Sequence, residues 1–514
     1  MAMKLPPSVK NWVSLAGAIV ALTSVFMIIF LFIVTTVLRS QAAYLGLIIY
    51  ILLPGVMVMG LLLIPLGMFL KNRREKGKAV TGWPKIDLEE PHHRHAALVF
   101  LVGTAFFLLV SAVGSYEAFH YSESVTFCGT LCHKVMEPEH VAHKNSPHAR
   151  VACVACHVGP GVDWYVRSKM SGLYQVYAVL ANVYPRPIPT PIKNLRPARA
   201  VCEQCHWPEQ FYGHKQMMRT YYLPDKANTP WVIRLSMKVG PPQEALGLIE
   251  GIHWHINPDV KIEYSATDRE RQIIPWVRST NVKTGEVKTF RDTSRSGEGA
   301  GAEKGEVRVM DCIDCHNRPS HRYRAPADFI DTAMTRGAIP PELPDIKRVA
   351  VEACSVPDAT ADSVRAQLSA HYRERYPRLY ADQRQMVEQG ISGVTTAFSK
   401  NIFPYMKARW DVYADNIGHL YYAGCFRCHN GTHATETGER ISRDCIVCHD
   451  LTSQGTPGRG LEQARVGESL TFRHPVEIGV ELDETACSEC HSGGAGGMMF
   501  GGRKHRESWQ AWAE

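Results

Sequence analysis

Fourteen of the fifteen cysteines in this 514-residue chain fall into seven pairs, and a histidine directly follows the second cysteine of each pair. The groups are Cys128, Cys132 and His133; Cys153, Cys156 and His157; Cys202, Cys205 and His206; and Cys312, Cys315 and His316. Three more lie in the last hundred residues: Cys425, Cys428 and His429; Cys445, Cys448 and His449; and Cys487, Cys490 and His491. Two thiols about a helical turn apart can add across the two vinyl groups of one porphyrin. The adjacent histidine then falls beneath the iron as an axial ligand. The spacing predicts seven covalently attached c-type haems.

An isolated Cys-x-x-Cys reads equally well as a zinc knuckle or a thiol redox pair. Histidine fills 23 of the 514 positions, so seven such coincidences would arise by chance with a probability on the order of 10⁻⁹ to 10⁻¹⁰. Zinc has no reason to demand histidine at that one place each time. Only Cys354 is left over, and it reads as a small buried apolar residue. Haems rather than disulfides are the expected framework.

The elements that must carry these groups begin with three apolar stretches, residues 12–38, 44–70 and about 96–113, read as membrane-spanning helices. The first exceeds the apolar run of a cleaved signal peptide and reads as a retained anchor. Lys71, Arg73, Arg74, Lys76, Lys78, Lys85 and Arg94 fill the loop after the second span, whereas the loop before it holds Arg39. Basic loops stay inside. The N-terminus, with Lys4 and Lys10, is therefore expected in the cytoplasm, and the third span carries every haem motif to the periplasmic side. The spans contain no histidine, which argues against haem held between them. His92, His93 and His95 fall on the cytoplasmic side. The net charge of +7 is partly that loop and implies no nucleic-acid partner.

The fold expected is a membrane-anchored multihaem cytochrome c, with three transmembrane helices and a mostly α or irregular periplasmic region interrupted by a β-rich insertion. Five sections are expected: an anchor, 1–116; a three-haem section, 117–216; the insertion, 217–311; a section with the fourth haem and helices, 312–424; and a C-terminal three-haem section, 425–514. Strands are expected at 231–239, 260–267 and 272–279, with a hairpin turn at Lys283-Thr284-Gly285. Helical spacing covers 361–376 and 379–400, continuing over 402–423.

From Tyr116 onward the chain resembles the NapC/NirT group of membrane-anchored quinol-oxidising cytochromes c. The residues that carry the resemblance are Phe127-Cys128 with Met136 beyond, His148 before Cys153-Val154-Ala155-Cys156-His157, and Cys312-Ile313-Asp314-Cys315-His316 followed by His321. It covers roughly residues 96–325. Three spans and seven haems make the whole chain similar to a heptahaem inner-membrane type, associated with electron export in metal-respiring bacteria. The resemblance implies that His148 caps the fourth iron, His321 the second and Met136 the first. The chain departs from the four-haem pattern in the extra residue of its first motif and in the position of Met136. For the third iron, His214, His253 and His255 compete. His419, His433 and His474 are the nearest unassigned histidines for the last three. Were every iron six-coordinate, none would bind substrate, which suits electron transfer.

Lys169 stands where the resembling family has a lysine at its quinol pocket, and it also reads as an interfacial lysine beside Arg167. The segment 164–177 is aromatic and apolar with basic insertions, as expected of an amphipathic helix facing a membrane. An acidic partner seen in some relatives is absent from its expected place, where Val176 and Tyr177 stand; Glu117, Glu137, Glu139 and Asp163 are substitutes or solvated carboxylates. The resemblance implies a quinol dehydrogenase, with menaquinol as the expected donor, the lipid bilayer as host and soluble periplasmic cytochromes c as acceptors. An electron-transfer subunit without its own quinol site, and a terminal reductase of a small oxyanion, are the alternatives.

Overall fold

A computed structural model describes residues 11–38, 52–74, 88–130, 133–159, 162–192, 196–243, 247–295, 305–479 and 485–495. The chain divides into two compact units, residues 1–136 with 152–154, and residues 137–151 with 155–514.

In the first unit, α1 (Trp12–Leu38) and α2 (Leu53–Arg74) pack as an antiparallel pair. Small residues form the seam. A Cβ on Gly60 would lie 2.8 Å from the Ala21 backbone nitrogen, and one on Gly17 would lie 2.5 Å from the Gly60 carbonyl oxygen. Ser14 Oγ donates to the Ile64 carbonyl across the seam at 2.8 Å. Close backbone approach and an internally satisfied hydroxyl are what two helices need where water cannot help. Leu22 and Leu62 point outward and are exposed, and the stretches Trp12–Leu31 and Leu53–Lys71 are each long and apolar enough to cross a membrane. The third expected span lies within α3 (Pro91–Glu123), a single 33-residue helix started by Pro91. Residues 53–70 of the expected second span lie within α2, whereas residues 39–51 and 75–87 are outside the described residues.

The second unit starts within α4 (His133–Lys144) and continues through α5 (Val162–Leu180) into two sheets. Strands β1 (His214–Tyr222), β2 (Pro230–Lys238), β3 (Val260–Ala266), β4 (Trp276–Asn281), β5 (Val287–Asp292) and β6 (Glu306–Val309) come from the expected insertion or its edge. The Lys283-Thr284-Gly285 turn does join two antiparallel strands, β4 and β5. The insertion is not self-contained. Strands β7 (His433–Ala434), β8 (His449–Gly455) and β9 (Glu462–Gln463), all from the C-terminal three-haem section, complete the sheets in the orders β1-β2-β8-β9 and β6-β3-β4-β5-β7. Sheet pairing thus joins sections that the sequence reads as consecutive blocks.

Between the fourth and fifth motifs the chain builds an apolar core of its own. Helices α6 (Pro326–Thr335), α7 (Ile346–Ser355), α8 (Ala361–Arg375) and α9 (Arg384–Phe398) enclose Ile330, Leu343, Ile346, Leu368, Val387 and Ile391, each at most 1% exposed. Cys354 belongs to this core, fully buried, with its thiol pushed up by burial. A buried ion pair, Lys347 Nζ to Asp331 Oδ1 at 2.5 Å, ties α7 to α6, and the Tyr222 amide donates to the same carboxylate at 3.1 Å. The expected helix over 402–423 is instead a 3₁₀ turn at Pro404–Met406 followed by bends. Pro404 and the positive φ of Lys407 (52°) and Gly418 (83°) end helical continuity there.

Candidate haem centres

Each motif in the second unit sits on a short helical or 3₁₀ turn pinned by polar contacts outside it. For the fourth motif, the turn Cys312–Cys315 is capped by Asp311, whose side chain accepts from the Ile313 amide. Tyr264 Oη donates to Asp314 Oδ1 at 2.6 Å, and Arg427, inside the fifth motif, donates to the Asp314 carbonyl at 2.7 Å. The turn Ala198–Cys202 packs against the turn Cys312–Cys315, so the third and fourth motifs are neighbours. Gly424 opens the fifth motif at φ 52°, where a Cβ would lie 1.6 Å from the Gly418 carbonyl oxygen; no other residue fits there. Trp410 Nε1 donates to the Ser492 carbonyl at 2.9 Å and anchors the seventh motif to the helical core. None of the described cysteines is in a disulfide.

Six motif histidines each face one histidine from elsewhere in the chain. Ring centroids are 6.0 Å apart for His157 and His321, 6.0 Å for His206 and His148, and 6.4 Å for His316 and His253. They are 5.9 Å apart for His429 and His255, 6.3 Å for His449 and His419, and 6.0 Å for His491 and His474. A metal–nitrogen bond of roughly 2 Å on either side of one metal, plus a ring radius of about 1 Å, gives a separation on the order of 6 Å. The pairs have the spacing of two imidazoles on opposite faces of one iron.

The tautomers agree with that use. Nδ1 of His148, His253, His255, His321 and His474 lies 3.3, 2.9, 3.1, 3.2 and 2.7 Å from the carbonyl oxygens of Pro319, Val239, Ile252, Glu139 and Val476. A carbonyl only accepts, so Nδ1 carries the proton and Nε2 keeps its lone pair for a metal. Nδ1 of His419 is buried without a partner. Burial also pushes the imidazoles of His157, His253, His255, His316, His419, His449, His474 and His491 below the ordinary value, keeping them neutral. The residues present therefore fit c-type haem.

Several sequence expectations are redrawn. His148 faces His206 of the third motif, not His316 of the fourth, and the fourth pairs with His253. His321 lies at His157, where the resemblance put it. His214 opens β1 as an exposed residue, with Nδ1 3.4 Å from Ser236 Oγ; His148 fills the place for which it competed. His433 is fully buried, but both ring nitrogens are engaged, Nδ1 with Asn430 Oδ1 and Nε2 with the Ile274 carbonyl, each at 2.9 Å. With both nitrogens so engaged, it fastens the sheet and faces no motif histidine among the described residues. His255, which competed for the third iron, faces the fifth motif. His253 caps the 3₁₀ turn Trp254–Ile256 that contains His255, and an H-x-H across the start of so tight a turn sends its two rings to different partners. That pattern was the available signal.

The first motif is less fully visible. Cys132 lies outside the described residues; His133 begins α4, and Met136, half-buried, follows one turn later. Lys169, on α5, is half-buried with Nζ 4.9 Å from the Tyr165 ring centre. Val166, Met170, Leu173, Tyr177 and Leu180 of the same helix are 51–83% exposed, and their spacing makes one stripe with Lys169 at its edge. Glu139 is no solvated carboxylate; it is buried against His321.

The anchor helices, the motif turns and the facing imidazoles define a membrane-anchored multihaem cytochrome c. Residues 90–187 match the NapC/NirT cytochrome c family, N-terminal region. The chain is 42% identical over 492 residues to the Cytochrome c-type protein ImcH of Geobacter sulfurreducens (strain ATCC 51573 / DSM 12127 / PCA), covering 94% of this chain and 96% of that protein. It belongs with that protein to the NapC/NirT cytochromes c, as an ImcH-type member, and is an electron-transport protein carrying covalently bound c-type haem. No solved structure matches the chain.

Proposed function

We propose that this protein is a quinol dehydrogenase, with menaquinol its expected donor, that passes electrons from the membrane pool through seven haems to periplasmic cytochromes c. The observation that carries the quinol reading is the exposed apolar stripe of α5 with Lys169 at its edge. Five large apolar side chains in a row cost stability in water, on the order of 1.5–3 kcal/mol for each one fully exposed, and that cost disappears if α5 lies in the bilayer surface where quinols reside. An ammonium at that boundary can hydrogen-bond a quinol oxygen while its stem stays in the apolar layer. Three spans with a cytoplasmic N-terminus would set the haem region on the periplasmic side.

The haems supply the one-electron chemistry. The chain's own part is to hold each imidazole pair, fix the tautomers through backbone carbonyls and exclude water from the ligands. His157 with His321, His206 with His148, His316 with His253, His429 with His255, His449 with His419 and His491 with His474 would hold six of the irons, and His133 and Met136 are the candidates for the first. Two protein ligands on each of those six irons would leave no open position there, which favours transfer over a terminal reductase.

Anaerobic mixing of the oxidised protein with a menaquinol analogue, followed by haem absorption, tests the reading. Reduction that is lost in Lys169→Ala, with haem content intact, supports a quinol site at α5. If dithionite reduces every haem but quinol reduces none, the donor is another protein and the chain is a relay.

A further inference from the structure

Among the six non-motif histidines that face a motif histidine, His321 stands apart in what holds its outer nitrogen. The acceptors for His148, His253, His255 and His474 are neutral backbone carbonyls. Nδ1 of His321 donates to the Glu139 carbonyl oxygen at 3.2 Å and also lies 2.9 Å from that residue's carboxylate Oε2, a buried oxygen that makes no hydrogen bond of its own. Glu139 is held so that it cannot turn away. Tyr323 Oη donates to Oε1 at 2.9 Å, and Arg318 Nη2 is 3.9 Å from the same oxygen. Arg318 is in turn fixed by Nε donating to the His321 carbonyl at 2.6 Å and by lying 4.3 Å from the Tyr413 ring centre. Its side chain is only 6% exposed, and that of Glu139 17%.

Burying a carboxylate costs several kcal/mol unless it is paired. Here one guanidinium, one phenol and one imidazole share the compensation. The imidazole is the one that matters to an iron.

We propose that Glu139 tunes the second haem centre through His321: the negative carboxylate beside Nδ1 polarises the N–H that is donated to the Glu139 carbonyl and makes Nε2 a stronger donor. A stronger donor and a nearby negative charge both favour ferric over ferrous iron, so this centre sits at a lower potential than it would with a carbonyl acceptor alone. Glu139 is a positioning residue and touches no reacting atom. The inference rests on the ligand pair His157 and His321 proposed above.

The test is a redox titration with electron paramagnetic resonance of the full-length, haem-loaded protein. Three variants are compared: Glu139→Gln, Tyr323→Phe and His321→Met. Glu139→Gln keeps the shape and removes the charge. It is expected to raise one midpoint potential and alter one low-spin signal, the same signal that His321→Met alters, with haem content unchanged. Tyr323→Phe removes a donor from the carboxylate and leaves its negative charge less shared beside His321, so the same centre moves the other way. A merely structural role for Glu139 would not give opposite signs. If His321→Met changes a signal while Glu139→Gln leaves every potential in place, or shifts several equally, the tuning role is overturned and the ligand pair stands. If His321→Met changes no signal, both are overturned.

Discussion

His148 faces His206 with ring centroids 6.0 Å apart, and its Nδ1 lies 3.3 Å from the Pro319 carbonyl oxygen. The contact reaches from the segment before the second motif to the third motif. It uses a carbonyl just beyond the fourth motif to set the tautomer. His148→Met and His206→Met should therefore perturb the same low-spin component in the electron paramagnetic resonance spectrum. His253→Met should perturb the component that His316→Met perturbs. Coincidence of the His148 and His316 effects would restore the fourth-iron assignment.

His433 is expected to matter for stability alone. In His433→Leu the Ile274 carbonyl loses its side-chain partner in a buried site, while Asn430 Oδ1 keeps the backbone amides of residues 432 and 433, at about 1–3 kcal/mol for the group stranded. Thermal unfolding should move down while the haem spectrum stays as in the wild type. A new high-spin signal would show instead that His433 binds iron.

The ion pair between Lys347 and Asp331 joins α6, α7 and the end of β1. Removing one partner strands a buried charge, so Lys347→Met should destabilise the helical core by about 3–5 kcal/mol. Lys347→Met with Asp331→Leu should recover much of the loss. Denaturant unfolding followed by tryptophan fluorescence reads both, because Trp410 belongs to this core.

His371 carries a pH dependence. Its Nε2 is buried without a partner between the rings of Tyr372 and Tyr376. Burial lowers its pKa from the ordinary value of 6.5. The unfolded chain therefore takes up this proton at a higher pH than the folded one. The stability that neutral His371 contributes is present above about pH 6.5 and is lost as pH falls through that value toward the folded pKa. His371→Gln should flatten that part of the acid limb of a melting-temperature profile without touching the haem signals. An unchanged acid limb would mean that His371 does not titrate on unfolding.

Gly60 sets the separation of the two N-terminal helices, since a Cβ there would meet the Ala21 nitrogen at 2.8 Å. Gly60→Val should force α1 and α2 apart and lower the detergent melting temperature of the anchor, whereas Gly55→Ala, in open space on the same helix, should not. Equal effects of the two changes would show that helix propensity, not the seam, is responsible.

The candidate attachment motifs stand out in the sequence because covalent haem chemistry imposes a local rule: two thiols and an imidazole within five or six residues. The apolar anchor was legible for a similar reason, since a bilayer demands a length and a composition and both are written along the chain. The strands near 231–239 and 260–267 and the hairpin at Gly285 followed from local patterns in the same way.

What the tertiary structure decided was every pairing across sequence distance. Nothing adjacent to His148 says that it meets His206, because the meeting depends on where folding brings Cys202–His206. His253 and His255 part to different motifs only because the 3₁₀ turn diverges, and His433 is spent on Ile274 only because β7 completes a sheet begun by β3 to β6. Local spacing fixes where a haem is attached. A distal ligand is fixed by backbone hydrogen bonds between distant segments, and those exist only once the chain has folded.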